Sequence, residues 1–316
     1  LTLQLLCSGK LHWFGIYRCH QHREFKAMAM PENIGIIDLM LAVPNQETSD
    51  YYDFIKPLLM DEESRQMFKM PAQYMFKDIP NTGLQDDYLA YTIEKMDEFG
   101  IAQAMVGVDE DKYESQNEAV LKHPDRFFGC YDCNPNNGME EVRKIRRLKE
   151  KYDIKAVTAF PSGLCPQVSL SDKRWYPIFV TCVDLDIPFC PCVGVPGPRI
   201  PMEPQKVEHL DEICWFFPEL KVVMRHGGEP WTELAWKLML KYPNLYYMTS
   251  AFAPKHYPEN IVKFANTRGA DKIMYAGYFP MGLSLERIFS DMVNVPFRGE
   301  VWPKFLRENA KRVFKL

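Results

Sequence analysis

Long apolar runs are missing from this chain: none reaches the roughly 18 residues that a membrane span requires, so no membrane partner is expected. Blocks of basic residues are missing too. With Lys+Arg 38 against Asp+Glu 42 and a formal net charge of −4, the sequence offers no footprint for a polyphosphate, and no nucleic-acid partner is expected. Cysteine is sparse and odd in number, nine in 316 residues, too few for a disulfide scaffold. Reduced thiols in a cytoplasmic setting are the simplest expectation. The first strand region, "IIDLMLAVPNQ", contains no glycine, so it lacks the phosphate loop of a dinucleotide-binding open sheet.

What is present is an ordinary globular composition, 47% hydrophobic and 25% charged, at a length that suits one large α/β barrel. Residues 1–27 differ from the rest: they carry four basic residues against one acidic, and three of the seven histidines. They are read as an atypical arm outside the fold, with Met28 or Met30 as the natural start, and residues 28–316 as a single domain.

From residue 34 onward, short β-rich runs alternate with amphipathic stretches. Eight strands are expected, at 34–41, 101–108, 126–133, 154–160, 187–194, 220–226, 244–250 and 272–277. Most are apolar on both faces, as parallel strands are when buried between a packed interior and a ring of helices. Between them, "GMEEVRKIRRLKEKYDI" places Met139, Val142, Ile145, Leu148 and Tyr152 on one helical stripe. The segments "MEPQKVEHLDEICWFF" and "EPWTELAWKLMLKYP" read alike, the latter stopping at Pro243. Eight strand–helix units over roughly 250 residues predict an α/β fold, a (β/α)8 TIM barrel. Residues 43–85 are too long for a plain loop and rich in Met, Tyr, Phe and Pro. Leaving the C-terminal end of the first strand, they are read as a helical insertion over the barrel mouth or as a dimer contact.

The fragments "MDEFGIAQAMV", "HPDRFFGCYDCNPNN", "IKAVTAFPSG", "VVMRHGGEPW", "YPNLYYMTS" and "LRENAKRVFKL" resemble, in order and spacing, the amidohydrolase-related family. That family includes aminocarboxymuconate-semialdehyde decarboxylase, resorcylate-type decarboxylases and dicarboxylate lactonases. The resemblance runs from about residue 34 to the C-terminus. It implies a TIM barrel, often a homodimer, with one metal ion at the strand ends in most members.

The family's metal ligands do not carry over. Its first strand ends "IDxHxH", and here Met40 and Ala42 take the histidine positions. Cys192 stands where "PVxxHxG" has its histidine, and Tyr278 where "GSDYP" has its aspartate. A thioether, a methyl group and a lone thiol do not make a zinc-type site, so no metal and no cofactor is expected. Two rescues were open: His20 and His22 in "CHQH", and a convergence of Cys133, Cys192 and His226. Against the second, buried cysteine commonly acts as a small hydrophobe.

His226, in "RHGGEPW", matches the family's proton-handling histidine and is the candidate general acid or base. Arg225, preceding it, is expected on the opposite strand face and away from substrate. Tyr278 is a second candidate catalytic group, donating a hydrogen bond or else filling the vacated hole. Met40, Ala42, Cys192 and Glu229 are expected to line the substrate pocket, although Glu229 could equally cap the following helix. Asp38 is expected to anchor the barrel, and Lys155 to lie far from its mouth. Two functions stay open: a metal-independent decarboxylase or hydrolase/lactonase for a small carboxylated aromatic, muconate-like or lactone compound, or a non-catalytic barrel binding a small molecule or protein partner.

Overall fold

A computed structural model describes residues 29–45, 48–66 and 72–316. The arm 1–27, with His20 and His22, and position 28 lie outside the described residues. Eight strands form inside the eight apolar runs: β1 Ile36–Asp38, β2 Ile101–Gly107, β3 Phe127–Asp132, β4 Ala156–Ala159, β5 Phe189–Pro191, β6 Val222–Met224, β7 Leu245–Met248 and β8 Ile273–Met274. All seven neighbouring pairs are parallel, in the order β1 to β8. A parallel bridge between Leu41 and Phe279 joins the two ends, where the Ala42 amide donates to the Phe279 carbonyl at 3.0 Å. The strands thus curl into a TIM barrel.

A helix follows each strand: residues 88–98, 114–122, 139–152, 176–184, 209–216, 232–241, 259–265 and 285–292. Each packs an apolar stripe on the outer face of the barrel. In the third of these, Val142, Ile145, Leu148 and Tyr152 are buried as expected, whereas Met139, at the first turn, is exposed. No helix among the described residues is long and apolar enough to cross a membrane.

Side chains alternating along the strands divide into two cores. The outer one lies between strands and helices. The inner one fills the barrel with residues such as Ile37, Met105, Phe128, Cys190, Val223 and Met248. Ala310, Val313 and Phe314 of the C-terminal helix join it and close the N-terminal end of the barrel. Cys130 faces inward but Cys133 belongs to the outer core, so the convergence of Cys133 with Cys192 and His226 does not form. Among the described residues, no group of three or more His, Cys, Asp or Glu could hold a metal ion.

Asp38 ends β1 fully buried. Its Oδ1 accepts the Gly277 amide at 2.8 Å and the Met40 amide at 2.9 Å, tying β1 to the chain after β8. Lys155 pairs with Asp153 at the opposite end from the mouth.

Candidate active site

The C-terminal strand ends surround a cavity of about 930 Å³, within the range of small-molecule sites. Described residues between β1 and the helix at 88–98 line part of it. A 3-10 helix, Thr48–Leu58, supplies Tyr52 and Ile55, while Phe76 follows a second one, Gln73–Met75, and all three line the cavity.

All six residues expected at the site line this one cavity: Met40, Ala42, Cys192, His226, Glu229 and Tyr278. His226 follows β6 in a turn of three successive left-handed residues, His226 (φ 60), Gly227 (φ 80) and Gly228 (φ 67). For a histidine this backbone is strained, a feature concentrated at functional sites. Gly227 is required there, because a Cβ would sit 2.7 Å from the Phe252 ring. Ser250, after β7, holds the turn: its hydroxyl accepts the His226 amide at 3.0 Å and lies 3.2 Å from Nδ1. Burial, reinforced by the Arg225 charge and opposed by the Ser250 contact, lowers the imidazole pKa from its ordinary value to about 3. His226 is therefore neutral near pH 7.

Tyr278 packs edge-on to His226 at a centroid distance of 5.9 Å, and Phe76 stacks on it at 5.5 Å. Burial pushes the phenol up to about 12, so it stays protonated and can donate. Glu229 does not cap the following helix: that helix begins at Thr232, and Glu229 sits three residues earlier in extended backbone with its side chain exposed.

Arg225 corrects the sequence expectation. Val223 points into the barrel, so period-two alternation points Arg225 inward as well. The strand ends at Met224, and the left-handed turn brings His226 to the same cavity, where simple alternation would have sent it outward. Backbone bonds to β5 fix Arg225: its amide donates to the Pro191 carbonyl at 2.9 Å, and its carbonyl accepts the Val193 amide at 3.2 Å.

Asp132 and Thr158 are further cavity groups that sequence reasoning missed. The Thr158 hydroxyl donates to Asp132 Oδ1 at 3.1 Å. The Asp132 side chain is exposed to the cavity. Burial raises its pKa, opposed by Arg225 and Thr158. Its position at the end of an apolar strand, in "FFGCYD", was the available signal.

The positions that match the family's metal ligands, Met40, Ala42, Cys192 and Tyr278, do face one space. The side chains do not fit a cation. Burial pushes the Cys192 thiol up to about 12, the phenol is equally neutral, and Met40 Sδ already lies 3.4 Å from Arg225 Nη2. A fixed guanidinium thus stands beside the place where a cation would need anions.

Similar solved structures share the fold. An uncharacterised TIM-barrel protein from Bordetella bronchiseptica matches with TM-score 0.67 and 21% identity over 89% of this chain and 98% of its own. The 5-carboxyvanillate decarboxylase of Novosphingobium aromaticivorans, complexed with manganese and 4-hydroxy-3-methoxy-5-nitrobenzoic acid, gives 0.62 and 18% over 92% and 99%. A probable 2-pyrone-4,6-dicarboxylic acid hydrolase from Acinetobacter baumannii, with citric acid bound, gives 0.59 and 12% over 89% and 100%. No curated protein matches the chain. The Amidohydrolase family model matches residues 38–316, nearly the whole barrel, and the chain belongs to that family.

Proposed function

We propose that this chain is an enzyme acting without a metal ion on a small carboxylated aromatic, muconate-like or lactone compound, with His226 as the general acid or base and Tyr278 as a hydrogen-bond donor. The observation that carries this reading is the neutral imidazole and protonated phenol packed together on the wall of the cavity at the strand ends. The similar structures support the substrate class: one is a decarboxylase of a carboxylated aromatic, another a hydrolase of a pyrone dicarboxylate.

Of the two reactions, ring-opening hydrolysis suits the site better. Decarboxylation needs an acid to protonate the carbon as CO₂ leaves, and an imidazole with a pKa of about 3 holds no extra proton near neutrality. Lactone opening needs a base to take a proton from water; the neutral form is present, but a pKa of about 3 makes it a weak base, so this route requires its basicity to rise when substrate binds. With Nδ1–H donated to Ser250, Nε2 keeps the lone pair a base requires; the serine oxygen has two lone pairs and accommodates both donors. Tyr278 then donates to the carbonyl oxygen as charge develops on it. Doing without a metal forgoes several kcal/mol of charge stabilisation, which selects an activated ester over an unactivated amide.

Turnover of a panel of lactones, pyrones and aromatic acids, measured in the presence of a chelator, tests the proposal. His226→Ala is expected to lower kcat by about 10²- to 10⁴-fold. If wild type and variant are equally inert while a ligand still binds, the barrel is a non-catalytic binding protein.

A further inference from the structure

Arg225 is the unusual charge in this cavity. Arg225 is half-buried, and the part of a guanidinium withdrawn from water needs hydrogen-bond acceptors or an anion. Here Nε is buried without a hydrogen-bond partner, and the one side-chain contact of Nη2 is the Met40 thioether, a weak acceptor. Among the described residues, Arg225 forms no ion pair, although 24 such contacts occur elsewhere in the fold.

Its neighbours do not supply the missing charge. Cys130 and Cys192 are held as neutral thiols by burial, with pKa values pushed up to about 12, and burial raises the Cys190 thiol well above its ordinary value. Asp132 lines the same cavity, but it makes no ion pair with Arg225: its side chain is exposed to the cavity and its Oδ1 accepts from Thr158. Met40, Tyr278 and Ala42 complete the surroundings with no charge at all.

We propose that Arg225 is a substrate-binding residue whose guanidinium receives a carboxylate of the ligand, in the space bounded by Met40, Cys192 and Tyr278. This rests on the proposed function for the identity of the site and adds the ligand's required charge and its orientation. A planar carboxylate matches two parallel N–H groups of a guanidinium. Lys77, Lys255 and Arg287 also line the cavity, so a phosphate-like dianion is the competing ligand; the planar fork of the guanidinium and the Asp132 carboxyl in the same cavity favour a monoanionic carboxylate. The same bond tunes the chemistry. The Arg225 charge is one of the two influences that depress the His226 pKa, so a carboxylate seated on Arg225 offsets it and raises the basicity of His226 only when ligand is bound. In this arrangement a fixed cation orients the substrate where most of the family is implied to use a metal.

Isothermal titration of the full chain with benzoate, its neutral analogue benzamide and phenylphosphonate tests the assignment without requiring turnover. Wild type is expected to bind benzoate about tenfold or more tightly than benzamide, and more tightly than phenylphosphonate. Arg225→Met should abolish the preference for benzoate over benzamide, and Arg225→Lys should retain part of it. Thermal unfolding of Arg225→Met separates this from a structural role: removing an unpaired buried charge should hold or raise Tm, whereas loss of a structural residue would lower it. The proposal is overturned if benzoate does not bind at millimolar concentration, if benzamide binds as well as benzoate, if phenylphosphonate binds better, or if Arg225→Met keeps the preference or lowers Tm. A chain that passes these tests and turns nothing over would sink the catalytic reading while leaving the carboxylate site standing.

Discussion

His226 couples the site's chemistry to its stability. In an unfolded chain an imidazole titrates near 6.5, but in this fold burial and Arg225 lower the value to about 3. Between those values the unfolded chain binds a proton that the native state does not. The linkage sign follows: stability is intact above roughly pH 6.5 and is lost as pH falls toward 3, by up to about 1.4 kcal/mol per pH unit from this one group. His226→Asn, which cannot titrate, should flatten the acid limb of stability. Urea midpoints at about pH 7, 6 and 5 check it, and an unchanged slope would mean that the native imidazole titrates normally. His226 itself was legible in the sequence because it stands beside two glycines after an apolar strand. Arg225 was misjudged for a physical reason: alternation was counted from His226, which has already left the strand.

At the scale of the element, barrel closure depends on a polar contact. The weakest lateral join is β8, only two residues long, and Asp38 compensates by accepting amides from Gly277 and Met40. Burial raises the Asp38 pKa, opposed by the amides of Gly277 and Met40 and by the nearby Tyr275 hydroxyl. Asp38→Ala strands two buried amides and should cost about 1–3 kcal/mol. Asp38→Asn keeps the acceptor and should cost much less, because it removes a buried titratable group. Gly277 admits no side chain: a Cβ would lie 2.6 Å from Asp38 Oδ2 and 2.9 Å from the Tyr275 hydroxyl. Gly277→Ala should therefore destabilise by about 1–3 kcal/mol, and denaturant midpoints of the three variants rank these contributions. The strands themselves could be read from sequence, since an apolar run between turn residues is what a buried parallel strand requires. Their ends could not: β5, β6 and β8 are shorter than their apolar runs because the flanking residues leave the sheet to build the cavity rim.

Across the whole molecule, the two ends of the barrel do different work. Val313 and Phe314 seal one end with apolar side chains, while the other opens into a cavity that Tyr52, Ile55 and Phe76 help to line. Sequence pattern gave the architecture and the location of that cavity, because strand order in such barrels fixes which ends carry loops. It gave less of the site's electrostatics. Whether a thiol, carboxyl or guanidinium faces inward depends on where each strand stops, and periodicity does not mark that point. On the proposed reading, this family member sets neutral donors and a guanidinium where a cation would stand. Metal content of the purified chain, by plasma mass spectrometry before and after chelator treatment, tests it most directly. Far less than one transition-metal ion per chain, with ligand binding unchanged by the chelator, is the predicted result; one tightly held zinc or manganese per chain, whose removal abolishes binding, would contradict it.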